Sequence, residues 1–466
     1  MSKDTFKERM KQRFDKKTNT LMEEVYRYEL QDVKNPKLFR DIFTYDEVPK
    51  TPFNHRLVPM FPPDEIWITD TTFRDGQQAC PPFTVKQIVK IFEYLHKLSG
   101  PKGVIRQSEF FLYTKKDQQA VEKCLAKGYK YPQITGWIRA KKEDFKLVKK
   151  MGLKETGILT SASDYHIFLK LKKTRRQAME DYLDIARAAL DLGIIPRCHM
   201  EDITRADYYG FVIPFAQELM KLARMYKMPV KIRACDTMGL GVTYPGASMP
   251  RSVKGLVYGL VEYAEVPSEW LEWHGHNDFC KALINATTAW LYGCCAANGA
   301  LLGIGERTGN TPIEALIMEY ISLRGEKHGV DTRIITDIAE YFEKEIGYKI
   351  PANQPFVGRD FNLTRAGIHA DALLKDEEIY TIFDTRKLLK RSPKVAITDK
   401  SGVAGIAHWI NDNLSLKGKK AVGKDNAAVL KIKQMVDGEY VSGRTSAITD
   451  EEMLRLAKKY LPKLFR

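Results

Sequence analysis

Between residues 65 and 304 the chain alternates between short β-branched and aromatic runs and longer stretches of helical periodicity. The candidate strands are Glu65–Thr69, Val104–Phe110, Gln133–Ile138, Glu155–Leu159, Ile194–His199, Val230–Cys235, Trp270–His274 and Ala300–Ile304. Amphipathic helices fill the gaps, most clearly from Arg176 to Leu192, where apolar residues recur at helical spacing. Eight strands alternating with helices over about 260 residues specify an α/β fold, the (β/α)8 TIM barrel. An open doubly wound sheet competes. It usually has fewer strands, and no Gly-rich phosphate fingerprint follows the first strand here.

The flanks read differently. Residues 1–60 are expected to form an N-terminal helical extension, with a helix from Lys16 to Val33 and then a Pro-containing connection through Pro49, Pro52, Pro59, Pro62 and Pro63. Residues 61–325 form the barrel domain. Residues 326–466 are expected to be a mostly helical C-terminal region, with a helix over Thr332–Ile346, a Pro-bounded loop at 351–355 and an exposed Gly/Lys-rich loop at 417–424.

Composition excludes several classes. A chain that is 44% hydrophobic and 29% charged can bury a sizeable core. No run of about 18 apolar residues is present, so no membrane-spanning helix is expected. The first residues carry acids and lack an apolar signal core, which argues against secretion. Seven cysteines, odd in number and without a CxxC pair, fit free thiols in a reducing cytoplasm. The net charge of +15 invites an anionic partner. Its lysines and arginines are dispersed, however, as along Lys141, Lys142, Lys146, Lys149 and Lys150. Small polyanionic substrates or simple solubility account for that better than nucleic acid.

The chemistry collects at strand ends. Asp75, Glu201, Asp236, Thr237, His276 and Asn310 all lie at or just beyond the C-terminal ends of candidate strands. In a barrel those ends meet at one mouth. His274 and His276 are two apart on a strand, so both imidazoles face one point. With Asp75 they offer two nitrogens and a carboxylate, which leaves open positions on a divalent cation and suits a catalytic site. A chance His-x-His pair on a polar strand end is the bland alternative. Arg74 beside Asp75 can neutralise charge on a bound oxygen. Arg197, His199 and Glu201 alternate along one strand and face the interior. Arg197 serves there either a substrate carboxylate or an ion pair, and Glu201 either proton transfer or support of a neighbour. Thr237 can donate its hydroxyl to a carboxylate or cap a turn. The loop Gly303-Ile-Gly-Glu-Arg-Thr-Gly-Asn310 lacks a full dinucleotide fingerprint. It reads as a place where a bulky ligand approaches backbone and Asn310 is delivered to the metal.

Together these pieces resemble the DRE-TIM metallolyases, in the branch that condenses acetyl-CoA with a 2-oxo acid: the isopropylmalate, citramalate, homocitrate and Re-type citrate synthases. The matching segments are Asp70-Thr-Thr-Phe-Arg-Asp-Gly76, Glu201-Asp202, Asp236-Thr-Met-Gly239, His274-Gly-His-Asn-Asp278, Gly305-Glu-Arg-Thr-Gly-Asn310 and, past the barrel, Gly367-Ile-His-Ala-Asp371 with Tyr380. The resemblance implies Asp75, His274 and His276 as metal ligands with Asn310 beside them, on Mn2+ or Co2+ (or Mg2+ or Zn2+). It implies Arg74 at the keto oxygen, Thr237 and Arg197 at carboxylates, and Gly305, Glu306 and Arg307 towards acetyl-CoA. His369 and Tyr380 would arrive from the other protomer of a homodimer with shared active sites and help deprotonate the acetyl group, with Glu201 sharing the proton.

Three departures refine this. Gly76-Gln77-Gln78 stands where the family often has Gly-Glu-Gln, and Ser401-Gly-Val-Ala404 replaces a basic Ser-Gly-Arg-His patch. His199 replaces the small hydroxyl residue usual in homocitrate synthases. With the long leading segment and no long C-terminal regulatory domain, the chain is most similar to the Re-type citrate synthases. Oxaloacetate is then the expected acceptor, in a pocket shortened by Arg74, Arg197 and His199. Homocitrate and isopropylmalate synthesis are the near alternatives, cleavage of a 3-hydroxyacyl thioester a remoter one, and a non-catalytic metal-stabilised barrel the remotest.

Overall fold

The structure, a computed structural model, describes residues 12–15, 20–23 and 26–465. The chain divides into two compact units, residues 1–330 and 331–466.

In the first unit a short antiparallel hairpin, β1 (Gln12–Asp15) and β2 (Thr20–Glu23), precedes the barrel. The leading helix expected over Lys16–Val33 is absent where the chain is described: residues 20–23 are strand and 26–33 have no regular structure, while 16–19 and 24–25 lie outside the described residues. The backbone there is committed elsewhere. Tyr28 N donates to the Gln217 side chain at 3.0 Å, and Gln31 N donates to the Gly210 carbonyl at 2.9 Å. The Gln31 carbonyl in turn accepts from Arg175 at 2.8 Å. A helix would have needed those groups for its own ladder.

Eight parallel strands close the barrel in sequence order: β3 (Trp67–Asp70), β4 (Ile105–Phe111), β5 (Gln133–Ile138), β6 (Glu155–Ser161), β7 (Ile195–Glu201), β8 (Lys231–Asp236), β9 (Leu271–Gly275) and β10 (Ala296–Gly299), which pairs back onto β3. Each is followed by a helix: α1 (Val85–Ser99), α2 (Lys115–Leu125), α3 (Phe145–Lys150), α4 (Arg175–Asp191), α5 (Ile213–Tyr226), α6 (Val253–Glu262), α7 (Ala282–Leu291) and α8 (Ile313–Arg324). Local signals set these helices. Thr84 with Gln87, Thr114 with Asp117 and Thr174 with Gln177 form reciprocal capping boxes at the starts of α1, α2 and α4. In α1, Ile88, Ile91, Phe92, Leu95 and Leu98 bury one face at helical spacing.

The last strand differs from expectation. It runs Ala296–Gly299 rather than Ala300–Ile304, and residues 301–303 form a 3-10 turn in which Leu302 has φ of 58°. The bulky Leu301, Leu302 and Ile304 drew the sequence assignment four residues too far. The true strand is built from small residues because closure leaves little room: a Cβ on Gly299 would sit 2.5 Å from the Thr311 carbonyl oxygen.

The barrel interior is filled by charges rather than by branched apolar side chains. Glu272 accepts from Arg233 at 2.7 Å and from Arg197 at 3.0 Å, and Thr69 also donates to it. Arg233 donates at 3.0 Å to Glu109, which also accepts from Arg74 at 3.0 Å. Arg197 pairs with Glu155 at 2.8 Å, and Lys231 with Glu155 at 2.7 Å. Burial alone would raise these carboxyls. The guanidinium and ammonium groups outweigh it and hold Glu109, Glu155 and Glu272 below the usual carboxylate range.

In the second unit, α9 (Ile334–Tyr341) runs into a π-helical turn at Phe342–Ile346. There follow β11 (Leu363–Thr364), α10 (Gly367–Lys375), α11 (Thr385–Leu389), β12 (Lys394–Val395), α12 (Val403–Asn413), α13 (Ala427–Val441) and α14 (Asp450–Tyr460). β11 and β12 pair in parallel. Ile406, Trp409, Ile410, Val429, Ile432, Val436 and Met453 form its core. Lys417, Lys419, Lys420 and Lys424 are exposed.

Replacing Glu272 by Gln removes the shared counter-charge of two buried guanidinium groups. The expected loss is about 3–5 kcal/mol of unfolding free energy in a denaturant titration. A loss below about 1 kcal/mol, the range of exposed pairs, would contradict this account of the interior.

Candidate active site

The strand ends place the site. Directly after β3 the chain makes one π-helical turn, Thr72–Gly76, whose Thr71 cap accepts from the Asp75 amide and turns the Asp75 carboxylate over the barrel mouth. His274 lies near the end of β9, and His276 just beyond it pairs with Asn310 in an isolated bridge. Ligand atoms of Asp75, His274 and His276 all lie within 4.8 Å of one another, and all three side chains are buried.

Neighbouring groups set the protonation of this cluster. Asn298 donates through Nδ2 to Thr69 Oγ1 at 2.9 Å, so its Oδ1 faces His274 Nδ1 at 2.8 Å. That holds the His274 proton on Nδ1 and frees Nε2 as a lone-pair donor. Burial, joined by His276, pushes the His274 imidazole down to about 3, and burial also lowers His276. Asp75 is held below the usual carboxylate range. Burial opposes that, but Arg74, the two histidines and the 2.7 Å hydrogen bond from Asn310 Nδ2 prevail. Two deprotonated imidazoles and an ionised carboxylate are what a divalent cation requires. His276 Nδ1 and Asn310 Oδ1 are buried with no hydrogen-bond partner among the described residues, so the donor set fits such an ion.

Arg74 is fixed from three sides: Nη1 on Asp75 at 2.6 Å, Nε on Glu109 at 3.0 Å, and the guanidinium 5.2 Å above the Trp137 ring. Its Nη2 lies 3.5 Å from His199 Nδ1. His199 itself is 1% exposed, with Nε2 3.4 Å from Glu109, and burial pushes its imidazole down to about 3. It therefore reaches the mouth through Arg74 rather than lining it. A Cβ at Gly157 would sit 2.6 Å from His199 Nε2, so only glycine leaves the ring its place.

Arg197, expected at a substrate carboxylate, lies elsewhere. Third of seven residues in β7, it sits below His199 and Glu201, with both terminal nitrogens on Glu155, Glu272 and Thr135. The ion-pair alternative is what the structure shows, and Arg197 is not carried into the proposed site.

Glu201 closes the mouth on the opposite strand. It accepts from Ser161 at 2.6 Å and lies 2.9 Å from His166 Nδ1 and 3.3 Å from Lys170. Burial would raise its carboxyl, but His166, Ser161 and Lys170 hold it down at about 2. Thr237 Oγ1 accepts from the Asp202 amide at 2.8 Å, and its own proton meets no acceptor among the described residues. Asp236 serves the turn: its carboxylate accepts from the Leu240 and Gly241 amides and from Thr204. In the following loop Arg307 pairs with Asp278 at 2.8 Å and donates to the Thr237 carbonyl at 2.5 Å, while Glu306 is exposed. Gly305 is needed for close approach, since a Cβ there would lie 2.2 Å from Asn310 Nδ2. In the second unit the His369 and Tyr380 rings lie 4.3 Å apart, and Tyr380 is half exposed.

The HMGL-like family pattern matches residues 65–342, the barrel and all of its mouth residues. The chain belongs to the HMGL-like family. Over 440 residues it is 60% identical to a protein of Syntrophus aciditrophicus named Citrate (Re)-synthase, covering 94% of this chain and 70% of that one. A protein of the same name from Clostridium kluyveri is 56% identical over 439 residues, covering 94% and 97%. The 2-phosphinomethylmalate synthase of Streptomyces hygroscopicus is 36% identical over 437 residues, covering 92% and 98%.

In this HMGL-like mouth the structure adds three groups that the sequence reading passed over. His166 follows β6 as Asp75 follows β3, so the same strand-end rule reaches it. Glu109 looked like part of an apolar strand. Asn298 was hidden because β10 was placed too late.

Asn298→Ala removes the acceptor that sets the His274 tautomer. Titration with a divalent cation is expected to show affinity lowered by about 10–100-fold; unchanged affinity would contradict the assignment. The depressed carboxyl of Glu201 contributes stability that is present above the ordinary carboxylate range and lost as pH falls towards about 2. Denaturant unfolding should therefore show Glu201→Gln less stable than the parent near neutrality, with the gap closing as pH is lowered. A gap independent of pH would contradict the pairing.

Proposed function

We propose that this enzyme condenses acetyl-CoA with oxaloacetate and hydrolyses the resulting thioester, giving citrate and free CoA. The observation that carries this reading is the buried Asp75–His274–His276 cluster with Arg74 locked beside it, in a chain 60% identical to a Citrate (Re)-synthase. The enzyme is an acyltransferase whose acetyl group becomes an alkyl branch of the product.

A thioester methyl group is a weak acid, so a base must remove its proton while the acceptor carbonyl is held and polarised. A divalent cation held by Asp75, His274 and His276 supplies positive charge at the keto group when bound, with Mn2+ or Co2+ suiting two imidazoles and one carboxylate. Arg74 is the protein's own contribution there. Clamped between Asp75 and Glu109, its guanidinium stands ready where oxygen gains charge and needs no reorganisation. Thr237 donates its hydroxyl to a carboxylate of the acceptor. Glu201, ionised and hydrogen-bonded at the His166 ring, holds or moves a proton at Nδ1 of that ring. His369 and Tyr380 of a partner subunit take the methyl proton in a homodimer with shared sites, and the Gly305–Arg307 loop meets the thioester's CoA. The deprotonated thioester carbon bonds to the keto carbon of the acceptor, whose oxygen takes up a proton; water then attacks the thioester carbonyl, the C–S bond breaks, and the thiol leaves as CoA.

Among the described residues no helix is long and apolar enough to cross a membrane. The seven cysteines are free, which supports a reducing, cytoplasmic setting as part of this proposal.

Release of free CoA from acetyl-CoA, with oxaloacetate, 2-oxoglutarate, 2-oxoisovalerate and pyruvate offered in parallel, tests the acceptor. Oxaloacetate is expected to give the highest kcat/KM, and Arg74→Gln to lower it by about 100–1,000-fold. Preference for any other acid would overturn the proposal.

A further inference from the structure

Residues 52–55 run as a strap against the loop that precedes α6. Phe53 bridges Ala247, the Asn54 and His55 amides donate to the Gly246 carbonyl at 2.9 and 3.2 Å, and the Ser248 amide donates to the Pro52 carbonyl at 3.0 Å. Strap, loop, α6 and Tyr292 line a cavity of about 610 Å³ that shares no lining residue with the barrel mouth. Its size falls in the range of small-molecule sites, about 300–1,000 Å³.

The lining is aromatic and cationic together. Tyr209, Tyr258, Tyr263 and Tyr292 contribute rings, and Arg56 and Lys254 contribute positive charge. The rings brace one another: Tyr209 lies 6.4 Å from Tyr263, Tyr258 stands perpendicular to Tyr263 at 5.9 Å, and Tyr28 stacks on Tyr209 at 5.8 Å. The Lys254 ammonium sits 5.4 Å over the Tyr292 ring. Among the described residues no carboxylate lies within 4.0 Å of the charged nitrogens of Arg56 or Lys254.

Each half of this lining rejects a simple ligand. A hydrocarbon would cover the rings but leave two cations facing it. A bare phosphate would meet the cations but leave the flat rings unused. A planar base joined to a phosphate chain satisfies both, by stacking and by charge-assisted hydrogen bonds.

We propose that this cavity binds an adenine nucleotide carrying at least two phosphates, with the base among the tyrosines and the phosphates at Arg56 and Lys254. Such a group has two sources, a free nucleotide or the nucleotide end of CoA. The direct binding measurement below stands apart from the condensation, so failure of one leaves the other intact.

Calorimetric titration of the full chain with ATP, ADP and CoA tests it, with adenosine and pyrophosphate as half-ligands. ATP or ADP is expected to bind more tightly than either half-ligand. Tyr258→Leu and Lys254→Ala should each weaken binding by about tenfold or more at an unchanged unfolding midpoint. If the cavity takes the nucleotide end of CoA, both variants also raise KM for acetyl-CoA and spare turnover of a truncated acetyl-pantetheine. If it takes a free nucleotide, KM for acetyl-CoA stays constant while ATP binding is lost. Either pattern supports the site. No binding of ATP or ADP by the parent at millimolar concentration, or binding untouched in both folded variants, overturns it.

Discussion

The arrangement on which the rest depends is the chain of alternating charges inside the barrel. From Lys231 through Glu155, Arg197, Glu272, Arg233 and Glu109 to Arg74, each ion touches one of opposite sign, with only the two end members partly exposed. Asp75 ends the series at 2.6 Å from Arg74. Four acids then stand against four bases in a space from which water is largely excluded. Desolvating such groups is costly unless each is paired and hydrogen-bonded, and here every carboxylate shares at least two donors. The interior is therefore rigid in a directional way that branched aliphatic layers would not be. Moving one ion leaves its neighbours uncompensated.

That rigidity is delivered to the mouth. Glu109 lies on β4, yet it binds Arg74 of the loop after β3 and Arg233 of β8, and its carboxylate lies 3.4 Å from the His199 ring of β7. Arg74 is thus met by side chains from three strands, Glu109 of β4, Trp137 of β5 and His199 of β7. Asn298 of β10 does the same for His274 of β9 by fixing its tautomer, and it is itself held by Thr69 of β3. The groups at the mouth lie on loops and strand ends, but their directions are set by the closed barrel beneath them. His199 takes its meaning from this. It is a neutral ring packed under Arg74, in reach of the guanidinium rather than of the open mouth.

Much of this was legible in the chain. The strand–helix alternation specified the barrel, because eight short apolar runs separated by amphipathic helices can bury both faces of their strands in few other ways. The His274-Gly-His276 spacing and Asp75 after its strand marked the cluster, since residues two apart at a strand end face the same way and the turn after β3 opens on the same mouth. What escaped was long-range. The partners of Arg197 come from β6 and β9, far away in sequence, and no local pattern distinguishes a buried ion pair from a carboxylate receptor. β10 escaped because Ala296-Ala-Asn-Gly299 carries no β-branched signal, its small residues being chosen by closure. The leading segment escaped because Tyr28 and Gln31 spend their backbone groups on the barrel, a tertiary demand that overrides helical propensity.

In the proposed mechanism, carbon–carbon bond formation and thioester hydrolysis both occur at the mouth organised by His274 and Arg74. The measurement that tests this most directly is product analysis with acetyl-CoA labelled in its methyl group, oxaloacetate and a divalent cation, for the parent and for a folded His274→Ala variant. The parent is expected to form one labelled citrate for each CoA released, and the variant neither product above background. CoA released without citrate, or citrate formed equally by the variant, would contradict that mechanism.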